Sequence, residues 1–136
     1  MPRVGTLVSN QRVCTGCQAC VVTCSFFKER SFDLISSRIK IGRDESVCSF
    51  TPQFCRHCGK PPCQPACPTG AIRRNEETGI IYVQRERCDG CGLCMEACPF
   101  HAIGLDRHGI AIMCDLCDGQ PMCAIVCQPK ALSFTR

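Results

Sequence analysis

The sequence contains no tryptophan, a single tyrosine and three histidines in 136 residues. It also lacks any apolar run near the ~20 residues that a membrane-spanning helix needs. The start, Met1-Pro2-Arg3-Val4-Gly5-Thr6-Leu7, has neither the basic cluster nor the apolar stretch of a secretory leader. These absences predict a chain without a membrane span, working in the cytoplasm, where disulfides are rare. The 16 Lys and Arg form no continuous basic stripe, so nucleic-acid binding is not expected. Although 45% of the residues count as hydrophobic, that share includes 17 cysteines, and the ordinary apolar core must be thin. A small chain with a thin core needs cross-links, and the candidates are disulfides, zinc or iron-sulfur clusters.

The cysteines that are present decide among these. They fall into four groups of four, with Cys48 left over. Group one is Cys14, Cys17, Cys20 and Cys24, and group three is Cys88, Cys91, Cys94 and Cys98 followed by Pro99; both have the spacing of the bacterial ferredoxin run. Group two, Cys55, Cys58, Cys63 and Cys67 followed by Pro68, is looser, as is group four, Cys114, Cys117, Cys123 and Cys127, whose proline is displaced to Pro129. Three thiolates a few residues apart on one loop can reach three irons of a cubane. The fourth cysteine, after three intervening residues, ligates the neighbouring cluster, so the groups must work in pairs. Structural zinc uses two separated C-x2-C knuckles. Here each group packs four cysteines into 11 to 14 residues, and no histidine replaces a cysteine, which disfavours zinc. Sixteen cysteines thus predict four [4Fe-4S] clusters. Oxidised clusters with their thiolates would move the formal charge of +4 by ~−8, to ~−4.

An internal repeat runs alongside the cysteines. After the last cysteine of groups two, three and four stand Ala71-Ile72, Ala102-Ile103 and Ala131-Leu132 at the same offset. Two hairpins are expected, 72–74 with 80–83 and 103–105 with 110–112. Segments 3–8 and 131–135 are strand-like and could pair, and residues 20–24 and 94–98 bracket short helical turns. Val21, Val22, Met95 and Ala97 are placed to cover cluster sulfur. No flexible linker is evident. The fold class is α+β: one domain over 1–136 with two pseudo-symmetric cluster pairs, short hairpins and short helices. The long interruption, 25–54, holds five of the seven phenylalanines, Phe26, Phe27, Phe32, Phe50 and Phe54, and a strand-like Arg38 to Ile41. It is expected to cap the clusters against water, the alternative being a partner-docking surface.

The four groups, the string Cys55-Arg-His-Cys-Gly-Lys-Pro-Pro-Cys63-Gln-Pro-Ala-Cys67-Pro-Thr-Gly-Ala-Ile72 and Cys114-Asp-Leu-Cys117 resemble the four-cluster, ferredoxin-like subunits of molybdenum and tungsten oxidoreductases, hydrogenases and carbon monoxide dehydrogenases. The resemblance covers nearly the whole chain and implies a tandem ferredoxin-like fold and electron transfer. It implies that group one pairs with group four and group two with group three. Carried over, Cys14, Cys17, Cys20 and Cys127 hold one cluster, and Cys24, Cys114, Cys117 and Cys123 the next. Cys55, Cys58, Cys63 and Cys98 hold the third, and Cys67, Cys88, Cys91 and Cys94 the fourth. Residues 20–33 with 36–41 are similar to small subunits of tungsten aldehyde oxidoreductase-type enzymes, including class II benzoyl-CoA reductase. That implies a large tungsten-pterin catalytic partner and an external electron carrier. The short Cys117 to Cys123 loop departs from many relatives.

No residue reads as catalytic: there is no C-x3-C-x2-C triad, no G-x-G-x-x-G and no Walker loop. The expected role is an electron-transfer subunit that is not itself an enzyme. A free-standing polyferredoxin, or a subunit of a hydrogenase, carbon monoxide dehydrogenase or molybdenum enzyme, stays open beside it, with a zinc-binding interaction module as the remote reading. His57 is expected to pack rather than to tune a cluster, His101 and His108 fall in turns, and Cys48 is expected as a buried inert thiol.

Overall fold

A computed structural model describes residues 5–135. The described residues form eight short strands in four two-stranded antiparallel sheets, with helices between them. Strand β1 (Thr6–Ser9) pairs with β8 (Leu132–Thr135), in the register Leu7 to Phe134 and Ser9 to Leu132. The expected pairing of the two ends is therefore present; Arg3 and Val4 of the anticipated strand lie outside the described residues. The alternation is that of a half-buried ribbon, with Leu7 and Leu132 buried and Val8 turned outward.

Helix α1 (Ala19–Glu29) carries two cysteines of group one and runs five residues past the short turn expected there. Nothing in 25–29 breaks a helix, and the stop comes where Arg30 turns left-handed and its N–H bonds the carbonyl of Phe26 at 2.8 Å. The remaining helices are single turns: α2 (Cys63–Ala66), α3 (Leu93–Ala97) and α4 (Met122–Val126). Helix α1 packs on α4, and α2 on α3.

The two hairpins expected after groups two and three are found as β4 (Ile72–Arg74) with β5 (Ile81–Val83), and β6 (Gly104–Leu105) with β7 (Ala111–Ile112). In the second, Asp106 takes the N–H groups of His108 and Ile110 on one oxygen and Arg85 on the other. Burial raises the Asp106 carboxyl, but these donors outweigh it and hold it below the ordinary range.

The interruption 25–54 departs from expectation in three ways. The strand anticipated over 38–41 lies instead at β2 (Lys40–Asp44), because Arg38 is held elsewhere: its N–H faces the Cys24 sulfur and its guanidinium reaches Ser36 and Glu29. A partner strand, β3 (Ser49–Gln53), completes a hairpin that the sequence did not reveal. Cys48 sits in its tight turn with a φ of 51°, exposed rather than buried. The phenylalanines also divide. Phe54 is 1% exposed and caps the interior, whereas Phe32, Leu34 and Ile35 face solvent.

Among the described residues the interior consists of two apolar cores. One gathers Leu7, Val21, Ile39, Phe54, Ile80, Leu116 and Leu132 around cysteines of groups one and four; the other gathers Ile72, Ile81, Ile103 and Met113 around cysteines of groups two and three. Met95 borders the second core as expected. Among the described residues no helix is long and apolar enough to cross a membrane. Since Phe54 is the largest side chain fully buried in the first core, Phe54→Ala is expected to cost about 3–5 kcal/mol. Thermal unfolding of the anaerobically purified protein checks this; an unchanged midpoint would contradict the packing described.

Candidate metal centre

In each group the third and fourth cysteines are four residues apart and bracket a helical turn. Cys63, Cys94 and Cys123 lie within α2, α3 and α4, while Cys67, Cys98 and Cys127 occupy the C-terminal cap with extended backbone (ψ of 112°, 117° and 105°). In a continuing helix, residues i and i+4 share one face. Leaving the helix at the fourth cysteine separates it from the third. Group one differs, because Cys20 and Cys24 both stay within α1.

The loops repeat a backbone conformation as well as a spacing. The residue just before the second cysteine is left-handed in all four groups: Gly16 (φ 71°), His57 (49°), Gly90 (77°) and Leu116 (60°). So is the third residue after the last cysteine of groups two, three and four: Gly70 (66°), His101 (53°) and Lys130 (58°). This conformation costs a non-glycine residue ~1–2 kcal/mol, yet His57, Leu116, His101 and Lys130 adopt it. Its use is visible at two of the sites, where the left-handed residue's own N–H reaches back to the first cysteine: His57 to Cys55 Sγ and Leu116 to Cys114 Sγ, both at 3.4 Å. Three further N–H groups face sulfur, Arg38 to Cys24 at 3.2 Å, Ala71 to Cys67 at 3.2 Å and Ala111 to Cys88 at 3.3 Å.

The electrostatic neighbours of the thiols cut across the sequence groups. Burial pushes Cys20 up to about 12, and Cys127, Cys14 and Cys17 add to the rise. Burial likewise raises Cys123 to about 12, with Cys24 and Cys117 beside it, and lifts Cys114 well above its ordinary value, with Cys123 and Cys24 beside it. Cys55 is pushed up to about 12 by burial next to Cys63, Cys58 and Cys98, and Cys63 to about 11. Cys94 is raised by burial, with Cys67, Cys88 and Cys91 contributing. Cys67 is the exception: burial raises it, but hydrogen bonds with Thr69 and Ala71 outweigh that and hold it low. The thiol neighbours thus draw on two sequence groups each time, and some reach further, Cys20 beside Cys123, Cys55 beside Cys114 and Cys94 beside Cys63. Cys48 joins none and stays at the turn of the β2–β3 hairpin.

This donor set fits iron-sulfur clusters. A buried thiol with a pKa near 12 remains protonated at neutral pH, and a bound metal supplies the positive charge that turns it into a thiolate. Backbone N–H groups aimed at sulfur stabilise that charge and are the usual means of tuning such clusters. Among the described residues no three His, Cys, Asp or Glu side chains are grouped so as to hold a single metal ion. His57 is buried, and its Nδ1 accepts the Ile81 N–H at 2.9 Å, tying the group-two loop to β5. The side chain packs as expected, while the backbone N–H of the same residue faces the Cys55 sulfur.

Sequence reasoning overlooked Lys28 and Asp115. Lys28 Nζ lies 2.5 Å from Asp115 Oδ1, and Asp115 also accepts the Cys117 N–H at 3.0 Å. A lysine four residues after Cys24 on a helix, with an acid between Cys114 and Cys117, was the available signal.

The arrangement defines a small ferredoxin-like protein, with short strands and helices serving as mounts for cysteine loops. Comparison with known proteins makes this specific: residues 46–136 match the 4Fe-4S dicluster domain and residues 12–26 a 4Fe-4S binding domain. The chain belongs to the 4Fe-4S dicluster family of ferredoxin-like electron-transfer proteins. It is 37% identical to the thiosulfate reductase electron transfer subunit PhsB of Salmonella typhi, across 96% of this chain and 74% of that one. It is 36% identical to the polyferredoxin-like subunit of the aliphatic sulfonate oxidoreductase of Pyrococcus furiosus, across 92% and 72%. Among solved structures, a chain of the active site complex BamBC of benzoyl-coenzyme A reductase with benzoyl-CoA superposes with a TM-score of 0.58 and 25% identity, across 96% of this chain and 78% of that one.

Two glycines separate backbone strain from crowding. At Gly90 an added Cβ would lie 2.5 Å from the Gly109 carbonyl oxygen, whereas at Gly70, also left-handed, it would meet open space. Gly70→Ala is expected to cost ~1–2 kcal/mol, and Gly90→Ala clearly more. Parallel thermal melts with iron analysis test this, and equal losses would contradict it.

Proposed function

We propose that this chain is the electron-transfer subunit of an oxidoreductase complex and holds four [4Fe-4S] clusters on sixteen cysteines in crossed sets. The sets are Cys14, Cys17, Cys20 with Cys127; Cys24 with Cys114, Cys117 and Cys123; Cys55, Cys58, Cys63 with Cys98; and Cys67 with Cys88, Cys91 and Cys94. The observation that carries this reading is the crossing of thiol neighbours between groups. Each cluster, when bound, supplies the acceptance and release of one electron.

The protein's part is to order and insulate these centres. Cys123 of the second set neighbours Cys20 of the first, Cys114 of the second neighbours Cys55 of the third, and Cys63 of the third neighbours Cys94 of the fourth. These links support a row in the order given. Of the sixteen cysteines only Cys17 and Cys91 are exposed, and they belong to the first and fourth sets. The two ends of the row are thus the points of entry and exit. The packing of α1 on α4 and of α2 on α3 supports one domain over 1–136 with a pseudo-twofold outer and inner half.

The catalytic chemistry belongs to a partner. A large tungsten-pterin subunit, of aldehyde oxidoreductase or benzoyl-CoA reductase type, is the partner we infer, supported by the likeness to a BamBC chain. Phe32, Leu34 and Ile35, exposed at 74%, 53% and 55%, provide apolar surface suited to such a contact. The other end would serve an external electron carrier. A cytoplasmic setting belongs to the same reading, since a reducing compartment keeps thiols available for clusters.

Anaerobic purification of the native chain with metal, sulfide and partner analysis tests the proposal. About sixteen iron and sixteen sulfide per chain are expected, together with a large tungsten-containing chain. Zinc without iron would overturn the cluster reading. Iron without any co-purifying chain would instead favour a free polyferredoxin, and a molybdenum or nickel chain would reassign the partner.

A further inference from the structure

The second cysteine set, Cys24 with Cys114, Cys117 and Cys123, has two opposite charges fixed beside it. Lys28 stands one helical turn after Cys24 on α1, and Asp115 stands between Cys114 and Cys117. Their side chains meet at 2.5 Å and are only 19% and 31% exposed. Asp115 is further fixed by the Cys117 N–H. Neither charge is therefore free to swing away into solvent.

Both charges stand beside the sulfurs of this set: Lys28 lies on the helix that carries Cys24, and Asp115, bonded to it, lies between Cys114 and Cys117 and accepts the Cys117 N–H. Half-buried charges are screened by salt far less than exposed ones.

We infer that Lys28 and Asp115 set the reduction potential of the cluster on Cys24, Cys114, Cys117 and Cys123, the lysine raising it and the aspartate lowering it. This rests on the cluster reading above. One-electron reduction adds a negative charge to the site. A fixed cation beside the ligands favours the reduced state, and a fixed carboxylate favours the oxidised one. As a mutually bonded pair they largely offset each other, so the potential depends on both being present. Lys28 and Asp115 are tuning residues, neither ligands nor catalytic groups.

The test is an EPR-monitored redox titration of the full chain with its clusters, on Lys28→Met, Lys28→Arg, Asp115→Asn and the Lys28→Met/Asp115→Asn double variant. Lys28→Met should lower the reduced-to-oxidised ratio of one cluster at fixed potential roughly tenfold, which is about 59 mV for a one-electron couple. Asp115→Asn, which keeps an oxygen for the Cys117 N–H, should raise the same cluster by a similar factor. The double variant should return towards the wild type, and Lys28→Arg should stay near it. Unshifted potentials, shifts of the same sign in both single variants, or a Lys28→Arg shift as large as that of Lys28→Met would overturn the inference. If Lys28→Met loses iron, Asp115→Asn decides alone, because removing a nearby carboxylate's field demands an upward shift. A wild-type chain lacking four clusters would remove the cluster reading itself, whereas four clusters with unmoved potentials would remove only the tuning.

Discussion

The structure depends on the cost of keeping thiolates away from water. Burial drives Cys20, Cys55 and Cys123 to about 12, which disfavours a thiolate at those positions without positive charge nearby. Small domains whose ligands must be deprotonated to bind couple metal binding to folding in this way. The backbone is arranged to assist: left-handed residues recur at fixed offsets, several of them not glycine, and amide N–H groups face the sulfurs of five cysteines. Strain of this kind persists only where surrounding structure demands it.

Much else follows from that constraint. With two slender apolar cores among the described residues, the chain cannot rely on side-chain packing between large sheets, and its four two-stranded sheets, three of them hairpins, remain separate ribbons. Two-stranded ribbons are marginal on their own in water. Here each leads into or out of a cysteine loop, so the clusters would join ribbons that do not join one another. The β1–β8 ribbon brings groups one and four together from opposite ends of the sequence, which makes the crossing of those groups physically possible. Lys28 and Asp115 make the same connection by charge, linking α1 to the loop of group four.

The 4Fe-4S family was legible in the sequence because cysteine spacing is a covalent-scale signal that tertiary context does not blur. The hairpins at 72–83 and 103–112 were legible too, from alternation around Asn75 to Gly79 and Asp106 to Gly109. The interruption was not. Its β3 strand, Ser49–Gln53, contains Pro52 and only one large apolar residue, Phe50, so it has no alternation to read. Cys48 was expected to be buried because free cysteine is usually buried, yet the turn between β2 and β3 holds it outward. The length of α1 was missed because the cysteine pattern ends at Cys24 while helix-compatible residues continue to Glu29. The Lys28 to Asp115 pair was invisible because its members are 87 positions apart.

The central claim is that ligation crosses between groups and orders the four centres in a row. Anomalous diffraction at the iron edge from anaerobically grown crystals tests it most directly. The account predicts four cubane peaks in sequence, with Cys127 on the cluster of Cys14, Cys17 and Cys20, and with Cys24 on the next. Four clusters each ligated within its own group, or a single metal ion at each group, would contradict it.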